Sequence, residues 1–486
     1  MRCILRLLPG IALVALLLLL DSCAVPLGPG YTIEKRTLDI HFVSRPQPHL
    51  EIRASYRLAN TGNQPLSSIQ IRLPNPDSFD VENLQVQLDG RGLALQTPTG
   101  ASDKASNVRF DPPWVLKQRH EFTILYAISH SLTESAAAPL AVEDAFYLPV
   151  VGWYPELEPP KGVFAKLRGP HKKWNLMVRL PQGFLIHASG HEHGSKKIAG
   201  ETSRRFEQRP DSSLPFVIAG HYEQREFRGP QRTIYFWTRK SLDEKTANEA
   251  GETVSQTMQF LDSSFGPRGK GPLPVWIVEC PGKAIPTTGR DSAGIPEGFI
   301  GCQPLPDVAL VEDISTLGSD SLAESLSPSW LGLGTEPHFA ELAAPLDALE
   351  RYAALAAKEN RQGSGARSKD LAESLALYPS SAGKDKSTEK KQRDSPDREK
   401  SLFFFYALED QYGRDHLHHA IARMIHARRG RGYDLDDLRS ALEAETGQNV
   451  ADFFHRWLDK PGVPEDFRAR YSQPNSTTNI PKEKQP

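Results

Sequence analysis

The stretch Ser321–Tyr352, SLAESLSPSWLGLGTEPHFAELAAPLDALERY, decides how the rest of the chain is read. Its Ala, Leu and Ser content is that of an ordinary helix, but Pro328 interrupts it. Proline lacks a backbone N–H and has no side-chain donor atom, and inside a helix it costs roughly 3 kcal/mol. The helix therefore kinks or restarts here, with Ser327 as N-cap and Pro328 at the first helical position. Trp330, Gly332 and Tyr352 punctuate the stretch, and Glu324 and Asp347 are among its carboxylates.

Outward from this stretch, 486 residues suggest two or three domains. The net charge of −2 argues against a nucleic-acid partner, and 39% hydrophobic residues supply ample cores without disulfides. Residues 1–22 read as a signal peptide, with Arg2 and Arg6 in a basic start and Ile11–Leu20 as an apolar run too short to span a bilayer. The run ends at Leu20-Asp21-Ser22-Cys23, which resembles a bacterial lipoprotein signal with Cys23 as the lipidated residue. The alternative is a plain secretory signal cleaved near Ala24. Both export the protein, and Ala24 after Cys23 favours a periplasm-facing outer-membrane lipoprotein by that resemblance. In an oxidising compartment Cys280 and Cys302 are candidates for a disulfide; two buried thiols are the other reading.

Residues 31–228 read as β. Leu50–Leu58 and Ile69–Leu73 alternate apolar and polar residues with period two, and Asn60-Thr61-Gly62-Asn63 and Gln182-Gly183 mark turns. An antiparallel sandwich or saddle is expected. His191-Glu192-His193 is placed in a polar surface turn. From residue 232 to 467 strands and helices alternate, an α+β pattern. Thr233–Trp237 predicts a strand, Asp243–Phe265 a helix closed by Gly266-Pro267, and Leu273–Val278 a buried strand. Arg361–Lys400 is polar and densely charged, and a solvated, disordered insertion is expected there. Leu417, Ile421, Met424 and Ile425 form an apolar stripe. His416, His418, His419 and His426 are expected on that helix's solvated side. Asp434 caps Leu435–Thr446, and Gly447 stops it. Phe453 and Trp457 are expected in the core, and 468–486 is a polar tail.

Several of these pieces together resemble the membrane alanyl aminopeptidase-type, thermolysin-like (gluzincin) metallopeptidases. In that family H-E-x-x-H-x-W-x-G supplies two zinc ligands and a general base on one helix, and a later Glu supplies the third ligand. Trp330, Gly332 and Tyr352 fit that frame, and so does the Phe453–Pro464 segment that ends the catalytic domain. Read against the motif, Glu324 and Pro328 replace the two His, Ser325 the general base and Asp347 the third ligand. Gly294-Ile295-Pro296-Glu297-Gly298 stands where the family has G-x-M-E-N, so the resemblance makes Glu297 a candidate for gripping a substrate amine. Arg398 stands where the family's Tyr stabilises the oxyanion. The catalytic positions are therefore degenerate, and no zinc or other cofactor is expected.

The resemblance implies an α+β multidomain protein, with an amino-terminal antiparallel β-domain followed by a thermolysin-like, mainly helical catalytic-type domain. It implies an exported, membrane-anchored pseudopeptidase whose cleft holds a peptide or a protein partner, or which serves assembly. The alternative is a hydrolase with non-standard metal ligands, in which His338 joins Glu324 and Asp347.

Overall fold

The alternation in the amino-terminal half has its cause in one mixed sheet. The computed structural model describes residues 30–74, 79–96, 105–132, 137–139, 141–149, 153–157, 174–207, 215–267, 274–280, 308–311, 313–314, 326–331, 346–378, 398–428, 433–460 and 462–472. Within it a nine-stranded sheet runs His191–Ile198, Glu201–Glu207, Trp174–Pro181, Tyr31–Val43, His49–Asn60, Arg119–Leu132, Phe79–Leu88 and Arg91–Leu93, with Ala137–Pro139 beside Arg119–Leu132. Leu38 pairs with Ala54, Ile40 with Ile52 and Phe42 with Leu50, while Ile52 faces Tyr126 and Tyr56 faces Phe122. Every one of these side chains is buried, so the period-two pattern marks the inner face. The pairing of Tyr31–Val43 with Trp174–Pro181 is parallel, which the antiparallel expectation did not include.

Two four-stranded sheets complete this half, one built on Leu66–Arg72 and Ala105–Trp114, the other on Ala145–Leu148 and Val217–Gly220. His191-Glu192-His193 lies in the edge strand His191–Ile198 rather than in a turn. That strand is exposed throughout, so no buried face was there for the sequence to announce.

The second half opens on a sheet of Glu223–Arg228, Thr233–Thr238, Val275–Glu279 and Val308–Val311. Glu223–Arg228 lies before the expected boundary at residue 228 but pairs with Thr233–Thr238 and so belongs to this sheet. Helix α1 (Glu244–Phe265) crosses between the parallel strands Thr233–Thr238 and Val275–Glu279. Asp243 caps it by accepting from the Thr246 N–H at 2.9 Å, and Ala247, Val254, Met258 and Leu261 form its buried side.

The remaining helices are α2 (Pro328–Leu331), α3 (Leu349–Gln362), α4 (Ser364–Leu377), α5 (Arg398–Tyr412), α6 (Arg414–Ala427), α7 (Leu435–Thr446), α8 (Ala451–Leu458) and α9 (Glu465–Tyr471). Helix α4 occupies part of the expected disordered insertion, and residues 379–397 lie outside the described residues. The capping of α7 is as expected: Asp434 and Asp437 form a reciprocal box and Gly447 ends the helix at φ 67°. In α8 it is Phe454, not Phe453, that is buried with Trp457; Phe453 sits half-buried at the rim.

The two halves share a core. One hydrophobic cluster extends from the nine-stranded sheet to Trp237, Val278, Val308 and Leu310 of the second half's sheet. Across the join His187 lies on Trp276 with ring centroids 3.9 Å apart, and Tyr222 stacks on Trp237 and donates to the Glu279 carbonyl at 3.1 Å. Burial holds the His187 imidazole down to about 3, so it packs as a neutral ring. Trp237 is 3% exposed and its indole N–H donates to Gln224 at 2.9 Å. Trp237→Ala is expected to cost about 3–5 kcal/mol. Because the core is shared, the strand and helix signals of circular dichroism should still melt together; separate transitions would show that the two halves unfold independently.

Candidate functional site

Helix α2 is the piece that the sequence places at the metal face. The Ser327 carbonyl accepts from the N–H groups of Trp330 at 2.9 Å and Leu331 at 3.1 Å, so the helix does begin at Pro328 with Ser327 before it. Trp330 is 5% exposed. Its indole donates to Asp262 of α1 at 3.1 Å, and Arg232 pairs with the same carboxylate and lies over the Trp330 ring at 5.7 Å. The Leu331 carbonyl accepts from the Tyr433 hydroxyl. Asp347 falls in the short turn of 3-10 helix Leu346–Ala348 that leads into α3, and Arg398 begins α5.

Glu297, Glu324, Ser325, Gly332, His338, Cys23 and Cys302 lie outside the described residues, as do the side chains of Pro328, Asp347 and Arg398. Cys280 is disulfide-bonded. Among the described residues no three His, Cys, Asp or Glu side chains are grouped so as to hold a metal ion. Pro328 stands at the start of a helix and has no side-chain donor atom, so it cannot be one of the three protein ligands that a catalytic zinc needs.

Tyr352, the other fixed point of the frame, organises a buried polar network. It is fully buried, and its hydroxyl donates to Glu409 at 2.6 Å. The hydroxyl oxygen lies 3.1 Å from His418 Nε2 and accepts there, which assigns the proton to that nitrogen. Burial holds the His418 imidazole down to about 4, so it is neutral at pH 7. This corrects the expectation of a solvated His face: His416, His419 and His426 are exposed, whereas His418 is 4% exposed and shares the stripe of Ile421 and Ile425.

Glu409 also accepts from Arg367 at 2.7 Å and Arg414 at 2.8 Å. Arg414 reaches on to Glu359, Arg367 to Asp410 at 2.8 Å, and Arg470 pairs with Asp410 at 2.8 Å. Burial pushes the Glu409 carboxyl up, but the two guanidinium groups outweigh it and hold the group ionised below the usual range. Each carboxylate of the network thus has a guanidinium partner.

One acid of α3 stands outside this network. Glu350 stands one turn past Asp347 in the first turn of α3. Its Oε1 is shielded from water and has no hydrogen-bond partner among the described residues. Burial lifts its carboxyl to about 7, and its charge also helps to raise the Tyr433 phenol. The sequence reading passed over Glu350; its spacing of three residues from Asp347, which puts both on one helix side, was the available signal. Since burial raises the carboxyl from its ordinary 4.5, the folded state binds more protons between 4.5 and about 7. Stability from this group is full below that window and is lost as pH rises through it. Glu350→Gln should therefore gain stability over the wild type on going from about pH 5 to about pH 8, on the order of 2 kcal/mol, measured by denaturant midpoints. A difference independent of pH would refute the assignment.

The fold is similar to that of an M1 zinc metallopeptidase from Deinococcus radiodurans, at 15% identity and TM-score 0.54 over 90% of this chain and 95% of that one. A variant of that enzyme bound to a Tyr-Ser-Ala substrate aligns at 16% identity and TM-score 0.57, over 92% of this chain and 97% of that one. Aminopeptidase A of Legionella pneumophila, in complex with aspartic acid, aligns at 14% identity and TM-score 0.55 over 88% of this chain and 49% of its own. No family model and no curated protein matches the sequence. At these identities the likeness establishes the fold: the chain has the β-domain and helical domain of the M1 aminopeptidases.

Proposed function

We propose that this chain is an exported aminopeptidase-like protein that does not carry out zinc peptidase chemistry and instead binds a peptide or protein segment, or serves assembly, through its cleft. One observation carries the reading. Pro328, which the resemblance sets at the place of a zinc-binding His, starts helix α2. A zinc peptidase lowers the pKa of a bound water to about 7 and passes its proton to a neighbouring carboxylate. Here the base position holds Ser325, whose hydroxyl does not take up a proton near neutral pH, and the ligand positions hold Glu324, Pro328 and Asp347. By the resemblance the cleft would keep acidic groups at Glu297, Glu324 and Asp347, a set suited to amines and cationic peptide ends, with Arg398 as a counter-charge.

Purified protein should hydrolyse no aminoacyl-arylamide above a heat-killed control, with or without added zinc. The single changes Pro328→His and Ser325→Glu should stay inactive, because neither restores the full ligand set. Zinc-dependent turnover, lost with a chelator and restored by zinc, would instead establish a hydrolase with non-standard ligands.

Export and anchoring rest on Arg2, Arg6, the apolar run Ile11–Leu20 and Cys23. The mature protein should partition into detergent and label with fatty acid, and Cys23→Ser should lose both. A wild-type protein that remains in the aqueous phase would overturn the anchor.

A further inference from the structure

Among the described residues, the large apolar side chains that stand well exposed include two consecutive ones, Val115 at 52% and Leu116 at 46%. They form the tip of the turn between Ala105–Trp114 and Arg119–Leu132. We propose that this tip is a membrane-docking surface, seated in the headgroup region of the phospholipid bilayer that holds the protein's amino-terminal anchor. The proposal rests on the anchoring reading above and adds the face on which the protein sits.

The backbone of the tip is held by hydrogen bonds that leave its apolar pair in water. The Gln118 N–H donates to the Val115 carbonyl at 3.3 Å, and the Gln118 side-chain oxygen accepts from the Val115 N–H at 3.1 Å. Lys117 is held in the left-handed region at φ 65° and donates its N–H to the Asn60 carbonyl at 3.0 Å. Asn60, 1% exposed, donates through its side chain to the Trp114 carbonyl at 2.9 Å and through its backbone to Gln118 at 3.0 Å. Behind the tip Trp114 is buried between Phe110 and His120, with centroids 3.9 and 4.5 Å away.

The position of the tip names its occupant. Asn60-Thr61-Gly62, which clamps the turn, also holds the start of the described chain, because the Thr61 and Gly62 N–H groups donate to the Gly30 carbonyl at 3.0 and 2.8 Å. Cys23 precedes Gly30 by seven residues, a reach of at most about 25 Å. A bilayer carrying Cys23 therefore lies within reach of this corner. The charge of the corner fits phosphate headgroups. Lys117 is exposed and makes no ion pair among the described residues, and the nearby Glu34 is already neutralised by Arg119 at 2.8 Å. Apolar side chains beside a free cation are the pattern of interfacial binding. Ile198, 44% exposed, is a matched contrast. It lies in the hairpin at the opposite end of the nine-stranded sheet, where Glu201 meets His41.

The test uses the full mature protein bound to vesicles of mixed zwitterionic and anionic phospholipid. An environment-sensitive fluorophore is attached at Leu116→Cys and, separately, at Ile198→Cys, with the unsubstituted protein as background. The expected result is a blue shift and protection from an aqueous quencher at position 116 only, reduced by Lys117→Glu. Vesicle flotation reports the anchor separately from the tip. A floating protein whose position 116 stays as aqueous as position 198 overturns the docking tip and leaves the anchor intact. A protein that does not float overturns both. A shift that appears only when envelope proteins are added, and not with pure lipid, assigns the tip to a protein partner and overturns the proposal.

Discussion

The helical half is arranged around a carboxylate that water hardly reaches. Glu409 is 6% exposed, and an isolated charge there would cost several kcal/mol. Arg367 and Arg414 keep it ionised, and the Tyr352 hydroxyl completes its set of donors. These donors come from α4, α6 and α3, and Glu409 itself from α5. Moving any of these helices leaves a buried charge short of a partner. The network therefore specifies one arrangement of the helices, whatever its net contribution to stability.

This constraint gives two residues of the peptidase frame a packing task of their own. Tyr352 has a packing task that does not involve a metal: it stacks on Phe405 at 5.4 Å and bonds Glu409 and His418. Trp330 has a similar task, tying α2 to Asp262 and Arg232. Both tasks are met by aromatic side chains that also hydrogen-bond, so Trp330 and Tyr352 are tied to the core without a metal ion.

The parts that sequence did and did not give away divide by the range of the cause. Helix α7 is set by Asp434, Asp437 and Gly447, all local, and could be read directly. The stripe of α6 is likewise periodic. Helix α4 could not be read, because SGARSKDLAESLAL is polar. Its buried contacts come down to Leu371 and Leu375, and its pairing partners are distant, Lys358 for Asp370 and Glu409 for Arg367. His418 was misplaced because its residue type suggested solvent, although its position on the stripe of Ile421 and Ile425 placed it inside. In α8 adjacent Phe residues differ by one step of about 100°, so the choice between Phe453 and Phe454 depended on how the helix is rotated against Phe404 and Phe467. At the site the unread residue was Glu350, because its spacing of three from Asp347 is a weak signal and its burial comes from elements distant in sequence.

A zinc ion in a thermolysin-like site fastens two helices to each other as well as activating water, since its ligands come from both. In this chain some bonds that require no ion hold one of the helices. The short helix α2 is held at one side by the Trp330–Asp262 hydrogen bond and at its end by the Tyr433 hydroxyl on the Leu331 carbonyl. Tyr433 in turn lies close enough to Glu350 of α3 for that charge to raise its phenol. Helix α2 is thus tied to α1, and Tyr433 spans the gap between α2 and α3. Helix α2 is held to its neighbours by bonds within the polypeptide.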